Sequence, residues 1–139
     1  MAYQLREHTA DVAVEATADT LGGVFGAVAD GMAAAMCDDV PTTGERVDIS
    51  VTAESRHALL FDYLDELIYE RDVRDVLPVD NQGTVEKIGS EPESWRFTGS
   101  YRGVPLGDVT ARDLKAVTYS EMEIAERDED WFAYVVFDV

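Results

Sequence analysis

From Val12 to Thr17 the apolar positions Val12, Val14 and Ala16 alternate with other residues, the two-residue period of a half-buried strand. The period then changes. Leu21, Val24, Phe25, Val28, Met32, Ala35 and Met36 recur three and four apart along one helical face, with Asp19 and Thr20 ahead of them as candidate caps. Gly22, Gly23, Gly26 and Gly31 each cost a helix about 1 kcal/mol against alanine, so packing rather than propensity has to hold this one. The glycines either admit a close approach to a sheet or reflect a small-residue bias of the whole chain. Pro41 to Gly44 reads as a turn and Val47, Ile49 and Val51 as a second strand. Between Ser55 and Glu70, the stripe of Leu59, Leu60, Tyr63, Leu64, Leu67 and Ile68 predicts a second helix. Asp62, Asp65, Glu66 and Glu70 read as its solvated face.

The second half of the chain carries the strand period. Candidate strands cover Val76 to Val79, Thr84 to Ile88, Trp95 to Arg102, Lys115 to Ala125 and Phe132 to Asp138. Asn81-Gln82-Gly83, Gly107-Asp108 and Asp128-Glu129-Asp130 read as the turns between them. Two helices within a run of strands predict an α+β fold. It would be a single domain over residues 1–139, a mostly antiparallel or mixed β-sheet with the two main helices packed on one face.

Composition narrows the function classes. At 139 residues with 46% hydrophobic content, the chain can bury a core without disulfides or a structural metal. Cys37 is the only cysteine, which excludes an intrachain disulfide and a cysteine-based zinc cluster. No apolar run is long enough for a membrane span, and Met1 to Asp11 lack the apolar stretch of a signal peptide, so a cytoplasmic protein with no membrane partner is expected. Acidic residues outnumber basic ones 29 to 11, a net charge of -18, and the arginines are scattered, which argues against direct strong binding of nucleic acid. An acidic surface with only Lys87 and Lys115 as lysines fits a halophilic protein, in which salt screens the self-repulsion.

The familiar catalytic signatures are missing. No phosphate-binding Gly-rich loop precedes a Lys-Ser/Thr pair, and Gly22-Gly23-Val24-Phe25-Gly26 lacks the dinucleotide spacing. Gly99-Ser100-Tyr101-Arg102-Gly103 falls in a predicted strand and is not a nucleophile elbow. Cys37 reads as a buried thiol at a helix end, and His57 as a surface or capping residue. His8-Thr9-Ala10-Asp11 gathers an imidazole, a hydroxyl and a carboxylate at the entry of a strand, as chemistry would require. A turn in which Thr9 and Asp11 bond nearby amides accounts for the same residues. If the last strand runs near Asp11, then Asp138 and the end of the chain at Val139 bring further hard oxygens to one place. Like charges about 4 Å apart repel by several kcal/mol at an effective dielectric near 20, which a Ca²⁺ or Mg²⁺ ion relieves.

Four strings resemble the archease family in order and spacing from end to end: His8-Thr9-Ala10-Asp11-Val12, the helix segment Leu59 to Ile68, Leu114-Lys115-Ala116-Val117-Thr118-Tyr119-Ser120, and Val135-Val136-Phe137-Asp138-Val139. The resemblance implies a protein that is not itself an enzyme. It would act as partner of an RtcB-type RNA ligase, promoting GTP-dependent guanylylation of that enzyme and its multiple turnover in tRNA splicing, with tRNA met only through the ligase. It also implies a divalent cation, Ca²⁺ or Mg²⁺/Mn²⁺, held by Asp11, Asp138 and the main chain of Val139, with Lys115 and His8 as partner-contact residues. A cross-strand ion pair is the plainer reading of Lys115. Ala13 and Ser120 depart from the glycine and histidine the family tends to place there. The competing classes are a general chaperone or modulator of RNA-modifying enzymes and a small metal-dependent hydrolase, the latter motivated by the carboxylates alone.

Overall fold

The computed structural model describes residues 2–8 and 11–139. In chain order these form β1 (Ala2–His8), β2 (Asp11–Ala18), α1 (Leu21–Met36), β3 (Glu45–Ala53), α2 (Arg56–Arg74), β4 (Val76–Ser90), β5 (Glu93–Pro105), a single 3₁₀ turn at Leu106–Asp108, β6 (Ala116–Arg127) and β7 (Asp130–Asp138). Every strand pairing among them is antiparallel. The strands form two sheets, ordered β1-β2-β7-β6 and β3-β5-β4, where one sheet was expected. α1 packs against β2 and β4 and α2 against β6 and β3, so each helix touches both sheets.

Both helices begin where a hydroxyl caps an orphan amide. Thr20 Oγ1 accepts from the Gly23 amide at 2.9 Å and Ser55 Oγ from that of Ala58 at 3.1 Å. The glycines of α1 serve close approach. A Cβ on Gly22 would stand 2.3 Å from the Gly83 carbonyl oxygen, and one on Gly26 2.6 Å from that of Asn81, both in β4. At the centre Tyr63 of α2 and Phe97 of β5 lie 4.1 Å apart between ring centroids, with Phe25 of α1 at 6.0 Å from Phe97, so three rings join both helices to the smaller sheet.

Two expectations from the sequence need correction here, and one strand was missed. Asn81-Gln82-Gly83 is not a turn: β4 runs through it with a register irregularity between Val79 and Gln82. Asp30 of α1 holds that irregularity, its Oδ1 accepting from both the amide and Nδ2 of Asn81 at 2.9 Å. Glu70 is not solvated. It is buried, accepting from the Tyr101 hydroxyl at 3.1 Å and from Nε of Arg74, which the last turn of α2 supplies, at 3.1 Å. Strand β1 was not foreseen, since its described apolar residues, Tyr3 and Leu5, stay exposed and its partner is β2 alone. Cys37 is the buried thiol expected at the end of α1, and His57 is exposed.

Candidate functional site

Asp11 opens β2 and Asp138 closes β7, and the register places them directly opposite each other. Residues opposite in an antiparallel pair carry their side chains on the same face about 5 Å apart, so the pairing alone makes the two carboxylates neighbours. On the other side of β7, Asp138 pairs with Ala116, and its carbonyl accepts from the Lys115 amide at 2.9 Å. Lys115 thus precedes β6 rather than lying within it, and its side chain is exposed. It forms no ion pair among the described residues, so the cross-strand pair weighed for it is not present.

A cleft of about 460 Å³ opens beside this junction, lined by Asp11, Val139, Asp38, Arg112, Asp113 and Leu5 among others. Asp138 is paired with Asp11 but is not among the lining residues. Asp38, Arg112 and Asp113 were missed in the sequence: Asp38 follows the end of α1 and Arg112 lies on the approach to β6, and no linear signal joins them. Among the described residues Arg112 is the one basic residue on the lining, which also carries three aspartates. Its Nη2 donates to Asp38 Oδ1 at 3.0 Å and its Nη1 to Oδ2 at 3.3 Å. That guanidinium holds the Asp38 carboxyl below the usual carboxylate range.

Among the described residues no three His, Cys, Asp or Glu side chains gather closely enough to hold a metal by themselves. The donor set suggested by the sequence differs in kind: two carboxylates and a main-chain oxygen, all hard ligands suited to Ca²⁺, Mg²⁺ or Mn²⁺. The pairing of Asp11 with Asp138, and Val139 on the same cleft as Asp11, fit that set. His8 pairs with Asp11 through the backbone, while its side chain, like all of Thr9 and Ala10, lies outside the described residues. Ala13, where the family favours glycine, is wholly buried in β2. Ser120 is exposed in β6, where the register slips between Thr118 and Glu123.

Two helices spanning two antiparallel sheets, with an acidic cleft where the first paired strands meet the last residues, define a small α+β class with close relatives. The family model of the archease protein family (MTH1598/TM1083) matches residues 3–139, and the chain belongs to that family. It is 30% identical to the protein archease of Methanosarcina acetivorans over 99% of this chain and 95% of that one. Against the protein archease of Methanopyrus kandleri the identity is 29%, over the whole of both chains. The solution structure of Methanobacterium thermoautotrophicum protein 1598 superposes with a TM-score of 0.78 at 28% identity, covering 99% of this chain and 98% of that one. The crystal structure of an archease and possible chaperone from Thermotoga maritima superposes with a TM-score of 0.63 at 19% identity, covering 98% of this chain and 96% of that one, a likeness of fold.

Proposed function

We propose that this chain activates an RtcB-type RNA ligase, promoting GTP-dependent guanylylation of the ligase and its multiple turnover, and that it turns over no substrate itself. The observation that carries this reading is the pairing of Asp11 with Asp138 beside an acidic cleft that Val139 also lines. In this reading Asp11, Asp138 and the main chain of Val139 hold a divalent cation. When bound, such an ion supplies charge neutralisation and orientation for phosphate oxygens. The protein's own part is positional. Asp11 and Asp138 present their carboxylates from paired strand ends, and Lys115, held to Asp138 through its amide, offers an exposed ammonium to a phosphate or carboxylate of the partner. Orientation of this kind lowers barriers by several kcal/mol without new covalent chemistry.

The test is a multiple-turnover ligation assay with the cognate ligase in high salt, with and without this protein. Stimulation that disappears in Asp11→Ala and Asp138→Ala supports the reading, and full acceleration by both folded variants overturns it. A second reading, a general chaperone or modulator of RNA-modifying enzymes, is favoured by Tyr69 and Val73, exposed one helical turn apart on α2. It predicts suppressed aggregation of unrelated clients and indifference to chelator.

A further inference from the structure

The segment from residue 109 to 115 has neither helix nor strand character, yet it delivers Lys115 to the carbonyl of Asp138. What holds it is the end of α1. That helix has no basic residue in its last turn, so its final carbonyls have no cation from the helix itself. Arg112 supplies it from outside. Its backbone amide donates to the Met36 carbonyl at 2.6 Å, and its Nε and Nη2 both donate to the Ala35 carbonyl, at 3.2 and 3.1 Å. The same guanidinium grips both carboxylate oxygens of Asp38. Two residues on, Leu114 is buried and its carbonyl accepts from Arg71 Nη1 at 3.0 Å, a second fastening from α2.

We propose that Arg112 is a positioning residue: by clamping residues 109–115 to the end of α1, it sets the place of Lys115 and, through the Lys115–Asp138 bond, that of the last two residues beside the cleft. The inference deepens the proposed function and rests on it for the importance of those groups. The fork matters more than the charge. An exposed Arg–Asp pair contributes little to stability, and salt screens it further. The bonds to the Ala35 carbonyl and to Asp38 together need the planar, five-donor geometry that lysine lacks.

The experiment compares the full chain with Arg112→Ala and Arg112→Lys by hydrogen exchange, thermal melting and the ligation assay. In Arg112→Ala the amide of Lys115 should exchange about tenfold faster or more, while amides of β5 and the melting temperature hold. At saturating protein the maximal stimulation should fall, with the half-saturating concentration little changed. Arg112→Lys should behave like alanine in exchange, since the fork is absent. Unchanged exchange at Lys115 in Arg112→Ala overturns the clamp, and wild-type protection in Arg112→Lys overturns the role of the fork. Fast exchange with full maximal stimulation overturns positioning as a functional role. Should the wild type give no stimulation at all, the proposed function fails, while the exchange readout still decides whether the clamp exists.

Discussion

Asp11 and Asp138 stand opposite each other at the ends of β2 and β7, so two carboxylates leave one face of the sheet side by side. Like charges opposite in an antiparallel pair destabilise it, by about 1 kcal/mol where water screens them. The arrangement is explained if something cationic shares the space. In chelator, Asp138→Asn should therefore melt no lower than the wild type, and up to ~3 °C higher. Added Ca²⁺ or Mn²⁺ should raise the wild-type melting temperature and leave that of Asp138→Asn in place. A wild-type melt indifferent to both ions would count against the cation.

Glu70 is a buried carboxylate whose charge is shared between the Tyr101 hydroxyl and Arg74. Burial of the phenol, with the hydrogen bond to Glu70 and its negative charge adding to it, pushes the Tyr101 hydroxyl above the usual tyrosine range. Tyr101→Phe removes a donor and leaves one carboxylate oxygen short of a partner, which should cost about 1–3 kcal/mol in denaturant unfolding. Glu70→Gln in the same background should recover part of the loss, since a neutral amide is less costly to leave underbonded.

Gly26→Ala sets helix propensity against packing. Alanine favours a helix interior by about 1 kcal/mol. Its methyl would meet the Asn81 carbonyl oxygen at 2.6 Å, and that oxygen belongs to backbone that α1 itself anchors through Asp30. The helix must shift off β4, and a net loss of about 1–3 kcal/mol is expected in equilibrium unfolding. A stabilised variant would mean that α1 is free to slide.

Asp30 gives stability a pH signature. Burial raises its carboxyl above the usual 3.8, with Asp80 adding to the rise and the Asn81 bonds and Arg46 opposing it. The folded state thus holds this proton at a pH where the unfolded chain has released it. The stability linked to Asp30 grows as pH falls through the raised value and levels off near the unfolded one. Asp30→Asn, which keeps an acceptor for Asn81 without the charge, should compare best with the wild type near pH 7. Its relative standing should worsen on the way to pH 4, read as the difference in melting temperature.

The net charge of -18 predicts that low salt destabilises the fold. Dialysis to a few tens of millimolar salt should lower the melting temperature, and addition of salt should restore it. A melt unchanged across that range would remove the case for a halophilic protein.

Much of this molecule was legible in its sequence. The stripes of Leu21 to Met36 and Leu59 to Ile68 became α1 and α2, with Thr20 at the cap expected of α1, because helical periodicity and capping are local properties. Glycines 22 and 26 left two readings open, and the structure chose close approach to β4. The strand β1 escaped notice because exposed Tyr3 and Leu5 leave no apolar period strong enough to read, and pairing with β2 is what makes them a strand. Glu70 looked solvated because its burial depends on Tyr101, 31 positions away.

The candidate site divides in the same way. The sequence, through its resemblance to the archease family, named Asp11, Asp138 and Val139 as candidate oxygen donors, because matching a motif requires only residue type and order. Only the tertiary structure decided that β2 and β7 pair in a register that sets Asp11 against Asp138, and that Arg112 reaches back 77 positions to the end of α1. A one-residue slip would have turned every side chain of β7 to the other face, and register is chosen by the burial of both strands at once, a property of the folded core that no single stretch of chain contains.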